Sequence, residues 1–145
     1  MSAAENIQIL RKHDITHIVN CQDVTSKNYH ENDPSFHYLR FPIAHWWSAG
    51  LETPDKVLEF FSKYFEFIDR ATAEGKSVLI HCLAGAHRAG TATIALLMYK
   101  ADMDAATATV AAQTCRDIIN PIGGLDELLK RLEKSRNLSG NKTSN

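Results

Sequence analysis

Val57, Phe60, Phe61, Tyr64, Phe65, Phe67 and Ile68 recur at three- and four-residue intervals, the spacing that lines one face of an α-helix. Thr53-Pro54-Asp55 ahead of them supplies an N-cap, a proline at the first helical position and an acid in the first turn, and Gly75 closes the segment. Leu125, Leu128, Leu129 and Leu132 predict a last helix by the same spacing. Residues 91–100 are hydrophobic nearly all round, which predicts a buried central helix. An alanine-rich stretch with Asp102 or Asp104 as its cap predicts another helix running toward Arg116, and Ile7 and Leu10 among charges predict a short amphipathic one over 3–12. Residues 15–21, 36–43 and 77–80 read as strands. Residues 22–33 are polar and aperiodic, a loop ending at Pro34. Strands alternating with helices in this order predict a single α/β domain: a short, mostly parallel sheet of few strands, with helices on both faces. That domain is expected to occupy residues 1–134, and the polar, glycine-containing residues 135–145 to form a flexible tail.

Bulk properties narrow the function classes. A chain of 145 residues with 44% hydrophobic content suits one core. The net charge of −1 offers no basic field for nucleic acid or anionic lipid, so neither is expected as a partner. No apolar run reaches the ~20 residues of a membrane span, and no signal-peptide pattern opens the chain. Cys21, Cys82 and Cys115 follow neither metal-ligand spacing nor a disulfide framework, so no metal or cofactor is expected. A cytoplasmic location is the expectation, with the nucleus also open.

Chemistry concentrates in His81-Cys82-Leu83-Ala84-Gly85-Ala86-His87-Arg88. A strand entering a tight loop and then a helix aims backbone N–H groups, and the positive end of the helix dipole, at one spot. Such a nest binds a dianion and favours the thiolate of a cysteine within it. Cys82 is then a nucleophile, and Arg88 grips two phosphate oxygens with its planar fork. The plainer alternatives are a buried structural cysteine for Cys82 and an ion-paired arginine for Arg88. His81 is expected to support the loop from behind, and His87 to flank it.

H-C-x5-R resembles the signature loop of the cysteine-dependent protein phosphatases, and the rest of the chain is similar to their small dual-specificity branch. Asp14-Ile15-Thr16-His17-Ile18-Val19-Asn20 resembles that branch's second helix-to-strand passage. Phe36-His37-Tyr38-Leu39-Arg40-Phe41-Pro42-Ile43 resembles the strand leading to the general-acid loop. Arg116-Asp117-Ile118-Ile119-Asn120-Pro121 with Gly123-Gly124-Leu125 resembles the segment before the last helix. The resemblance implies a dual-specificity-phosphatase-like fold and metal-independent hydrolysis of phosphotyrosine and phosphoserine/threonine in proteins through a phosphocysteine. Cys82 is the implied nucleophile. Arg88, with the backbone N–H groups of Leu83, Ala84, Gly85, Ala86, His87 and Arg88 itself, is the implied phosphate ligand.

The chain departs from that pattern in several places. The family's aspartate acid is replaced positionally by His45, with Glu52 and Asp55 as the nearest carboxylates; histidine is a competent acid near neutral pH. The hydroxyl that follows the arginine in many relatives is Ala89 here, with Thr91 nearest. Two other readings stay open: a phosphate-binding adaptor with little turnover, and a glucan phosphatase, whose C-x-A-G-x-G-R loop Cys82, Ala84, Gly85 and Arg88 match while His87 does not. Of Trp46 and Trp47, one ring is expected to cover the core edge and the other to be partly exposed, with substrate contact by one of the two left open. Some relatives carry a second cysteine that captures the oxidised nucleophile, which makes Cys21 the candidate redox partner and Cys115 the weaker one, with a small core residue as the equal alternative for Cys21. Relatives also carry strands ahead of the first helix. The edge of strand 77–80 is therefore expected to be covered by the chain itself or by a second subunit in a homodimer.

Overall fold

The computed structural model describes residues 2–143, with side chains described to Gly140. Three parallel strands form the sheet in the order β2-β1-β3: β1 is Ile15–Asn20, β2 is His37–Arg40 and β3 is Ser77–His81. Ile18 sits level with Tyr38 on one side and Leu79 on the other, and Val19 with Leu39 and Ile80, so alternate residues on all three strands share a face. The register slips once, between Ile15 and His17.

Each face has its own apolar layer. Ile18, Tyr38 and Leu79 pack with Leu10 and Ile7 of α1 (Ile7–Lys12) and with Phe36. The larger core joins Val19, Leu39, Val78 and Ile80 to four helices: α2 (Pro54–Ala73), α3 (Arg88–Lys100), α4 (Ala105–Cys115) and α5 (Leu125–Thr143). Val57, Phe61, Tyr64, Phe65 and Ile68 form the buried stripe of α2, as their spacing predicts. Tyr64 stacks on Phe41 at 4.8 Å and donates its hydroxyl to the Ala92 carbonyl at 2.7 Å, satisfying a fully buried phenol. Thr53 caps α2 by accepting the Lys56 amide, and Asp104 caps α4 by accepting the Thr107 amide.

The differences from expectation have local causes. α1 begins at Ile7 because the Asn6 side chain accepts the Gln8 and Ile9 amides and so fixes the cap there. β2 stops at Arg40 and the chain tightens into a 3-10 turn, Ile43–Ser48, after Pro42, which has no N–H to give a ladder. α3 starts at Arg88, three residues earlier than its apolar run, taking the arginine into its first turn. α5 continues to Thr143 through residues predicted to be tail: Ser135 is buried with its hydroxyl on the Arg131 carbonyl, and Arg136 reaches Asp102 and the Met98 carbonyl. Residues 144 and 145 of that tail lie outside the described residues. β3 is an edge strand, and among the described residues no strand of the chain pairs with its outer side. Self-covering by a strand is therefore absent there: residues 3–5 form turns, and Asn6 is committed to capping α1.

Candidate active site

Because all three strands are parallel, their carboxyl ends point the same way and deliver their following residues to one rim of the sheet. β3 delivers Cys82, β1 delivers Cys21 and Asp23, and β2 leads into the turn that holds His45.

The loop after β3 wraps around the Cys82 sulfur. The Gly85 amide donates to Cys82 Sγ at 3.2 Å, an orientation that requires the left-handed backbone at Gly85, φ 74°. Arg88 then opens α3 with a side chain only 26% exposed, so its guanidinium is held at the loop instead of trailing in solvent. Leu83 is 82% exposed, at the outer lip.

A second segment clamps this loop. The Asn120 amide donates to the Ala86 carbonyl at 2.9 Å, and His87 Nδ1–H donates to the Asn120 carbonyl at 2.7 Å. Arg116 lies beside Gly85 and donates to the Ala84 carbonyl at 3.5 Å. Ile119 packs against the bare Cα of Gly90: a Cβ there would meet Ile119 Cγ2 at 3.0 Å, tighter than side chains ordinarily pack, so any larger residue would have to push Ile119 aside. His87 thus supports the loop through its ring nitrogen.

His81 ends β3, with its carbonyl accepting the Cys21 amide at 2.8 Å. Burial holds its imidazole below the usual histidine range, a hydrogen bond to the Cys82 backbone opposes this, and Arg40 adds to the lowering. A neutral ring packed behind the loop is the supporting role expected of it. Cys21 is fully buried in the main core, against which Cys82 also packs. Burial pushes the Cys21 thiol well up, Cys82 pushes it the same way, and Arg88 pulls it down. Cys115 is exposed at the end of α4.

His45 sits mid-turn at φ −92°, ψ 16°, its side chain 53% exposed, and Ser48 Oγ donates to its carbonyl at 2.9 Å. Its Nε2 lies 3.7 Å from Asp23 Oδ2, and Asp23 Oδ1 lies 3.9 Å from Arg88 Nη1. Glu52 instead pairs with Lys56 at 3.2 Å, and Asp55 occupies the first turn of α2. Thr91 is buried with its hydroxyl on the His87 carbonyl at 2.6 Å, bonded within its own helix. Trp46 is buried beneath Arg131, whereas Trp47 is 72% exposed. A separate cleft of about 800 Å³, lined by Met98, Asp104, Glu133 and Arg136 among others, lies between α3, the segment leading into α4, and α5. Its polar groups serve structure, since Glu133 accepts the Ala105 amide at 2.8 Å.

The loop from His81 to Arg88 was visible in the sequence because it is contiguous. Asp23, Arg116 and Asn120 were not singled out for the site, since each reaches the loop from a distant part of the chain, and Gly90, two residues past Arg88, was not because its contact is with the distant Ile119. The quoted Arg116–Pro121 stretch was the only signal pointing to any of them.

Comparison with known proteins agrees with this geometry. Residues 1–135 match the family model described as "Dual specificity phosphatase, catalytic domain". The chain is 39% identical over 95 residues to human dual specificity protein phosphatase 9, covering 66% of this chain and 23% of that protein. It is 31% identical over 140 residues to dual specificity protein phosphatase 1 of Arabidopsis thaliana, covering 96% and 66%. It therefore spans between 23% and 66% of the length of these curated relatives. Among solved structures, the human tyrosine phosphatase-like serine/threonine/tyrosine-interacting protein superposes with a TM-score of 0.67 at 28% identity, covering 92% of this chain and 87% of that one. Human DUSP28 superposes with a TM-score of 0.71 at 20% identity, covering 93% and 85%, a likeness of fold. With the family match spanning nearly its whole length and the strand–loop–helix around Cys82 in place, the chain belongs to the dual specificity phosphatase catalytic-domain family.

Proposed function

We propose that this chain hydrolyses phosphomonoesters, with phosphotyrosine and phosphoserine/threonine of proteins as its substrates. Cys82 attacks phosphorus, forming an S–P bond as the ester P–O bond breaks. Arg88 and the backbone N–H groups of Leu83, Ala84, Gly85, Ala86, His87 and Arg88 hold the equatorial oxygens. His45 gives a proton to the leaving oxygen, and water then cleaves the phosphocysteine and frees phosphate. The observation that carries this reading is the Gly85 amide on the Cys82 sulfur, with Arg88 opening the next helix. A cysteine sulfur that accepts a backbone amide at the head of a helix, with an arginine in that helix's first turn, supports nucleophilic attack on phosphorus.

Among the described residues no helix is long and apolar enough to cross a membrane. Rapid-quench kinetics with a chromogenic aryl phosphate provide the test. A burst of released phenol and an acid-trapped phosphocysteine are expected, both absent in Cys82→Ser. Arg88→Ala is expected to lose about 10² or more in rate, the scale seen when a preorganised charge-stabilising donor is removed. A protein that binds phosphate tightly yet gives no phosphocysteine would be an adaptor, and the enzyme reading would fall.

Cys21 completes the proposal as the resolving thiol. Peroxide converts the Cys82 thiolate to a sulfenic acid; the Cys21 sulfur then displaces hydroxide, released as water, and a disulfide forms. Supporting this, Cys21 and Cys82 directly follow Asn20 and His81, which sit level on neighbouring strands, and the Cys21 amide donates to the His81 carbonyl at 2.8 Å. Mild peroxide followed by non-reducing peptide mapping should yield a Cys21–Cys82 peptide, with activity restored by thiol. Recovery unaltered in Cys21→Ser would remove Cys21 from the scheme.

A further inference from the structure

Asp23 lies in the polar loop between β1 and β2, half exposed, yet its turn is pinned by an unusual number of donors. The Ser26 amide and hydroxyl both donate to its carbonyl, at 3.0 and 2.9 Å. The Arg40 guanidinium donates to the same carbonyl, to the Ser26 carbonyl at 2.7 Å and to the Ser26 hydroxyl at 2.9 Å. Behind them the fully buried Asn20 accepts the Gln22 amide at 3.0 Å and donates to Asn28 Oδ1 at 3.0 Å. No apolar packing in this loop calls for such anchoring: Val24 beside Asp23 is 76% exposed. The anchoring fixes the Asp23 main chain, and with it the place from which the carboxylate projects. Its two oxygens face two residues from two other elements, Oδ1 toward Arg88 of α3 at 3.9 Å and Oδ2 toward His45 of the 3-10 turn at 3.7 Å. Half-exposed ion pairs of this kind add little to stability, so their effect lies in what they position.

We propose that Asp23 is a positioning residue for phosphoryl transfer: it holds Arg88 until phosphate arrives and then orients His45 for proton donation. This rests on the assignment of Arg88 as phosphate ligand and His45 as acid given above. In the free protein the carboxylate is a weak internal substitute for the phosphate on Arg88. A dianion in the loop takes the guanidinium in a two-point bond and repels the carboxylate, whose remaining partner is the His45 imidazolium. With Nε2 turned toward Asp23, Nδ1–H is the donor to the leaving oxygen. As the P–O bond breaks, its electron pair stays on that oxygen, the Nδ1 proton moves to it, and His45 is left neutral.

The scheme makes Asp23 act with opposite signs on two quantities that a merely structural residue would move together. In Asp23→Asn, inhibition by inorganic phosphate should become several-fold tighter, because the competitor for Arg88 has lost its charge. In the same variant, kcat on an alkyl phosphate should fall about tenfold or more, while kcat on an activated aryl phosphate stays close to wild type, since only the poor leaving group needs the proton. Asp23→Glu, which keeps the charge, should recover part of the alkyl-phosphate rate. Phosphate inhibition unchanged or weakened in Asp23→Asn would overturn the competition, and equal kcat losses on both esters would overturn the orienting role. If His45→Ala itself fails to discriminate between the two esters, the acid assignment is what has failed. The phosphate measurement does not involve His45 and still decides whether Asp23 competes for Arg88.

Discussion

His45 stands where the family resemblance implies an aspartate, and its geometry makes that departure testable at the level of one side chain. It is half exposed on a short, hydrogen-bonded turn, so replacing it should leave the fold intact. His45→Ala should slow alkyl phosphates by roughly 10²–10⁴, the usual worth of a positioned acid, and barely affect activated aryl esters. A leaving-group series under steady-state conditions checks this, and equal losses throughout would reassign His45 to packing. Gly90 offers a second test at this scale. Alanine there gains about 1 kcal/mol of helix propensity but drives a Cβ against Ile119 Cγ2 at 3.0 Å. Overpacking commonly costs about 1–3 kcal/mol, so Gly90→Ala should be net destabilising and should displace the Arg116–Asn120 clamp, lowering kcat. In an Ile119→Ala background the same change should cost less, which a double-mutant cycle of urea midpoints and kcat measures.

At the scale of elements, helices with a periodic apolar face were readable from spacing and caps. α2 is bounded by the cap and glycine that its sequence displays. Thr53→Ala should therefore cost about 1 kcal/mol in chemical denaturation, the typical worth of an N-cap hydroxyl, with kcat unchanged. Edges of elements were less readable. The early end of β2 depends on Pro42, and the early start of α3 depends on loop geometry that puts Arg88 into the first turn. The polar residues after Lys134 resembled a tail because their partners, Asp102 and the Met98 carbonyl, belong to the far end of α3 and beyond. The site divides in the same way. Cys82 and Arg88 were legible because their loop is continuous in sequence, whereas Asp23 and Asn120 join it only through tertiary folding. The unpaired outer edge of β3 leads to a further expectation: a second subunit covers it. Sedimentation should then show a dimer, and proline at Val78, which cannot serve a ladder from that side, should shift it toward monomer.

For the whole molecule, the buried ionisable groups set a stability optimum. His17 is held below the ordinary histidine range by burial first and by His37 second, and His81 by burial first. Their unfolded counterparts bind protons below ~6.5, so their contribution is present above that pH and lost as pH falls. Burial raises Cys21 and Tyr64 instead, with Cys82 and Cys21 respectively as lesser causes. In the unfolded chain these groups ionise above ~8.5 and ~10, so their contribution is intact below those values and declines as pH rises. Stability should therefore be greatest between about pH 6.5 and 8.5 and fall on both sides. Urea titrations across that range provide the check. Tyr64→Phe should flatten the alkaline limb while costing about 0.5–1.5 kcal/mol at neutral pH for the lost bond to Ala92.

The clamp on the Cys82 loop has one property that bears on how such a protein tolerates genetic drift. Asn120 grips Ala86 and His87 with its own amide and carbonyl only, so the identity of its side chain is irrelevant to the grip. A saturation library read out by phosphatase activity should thus accept nearly every letter at codon 120 except proline, which lacks the N–H. Codon 90, with no side chain at all, should accept almost none. The position that looks like a feature would be silent, and the position that looks empty would be the one where variation is purged.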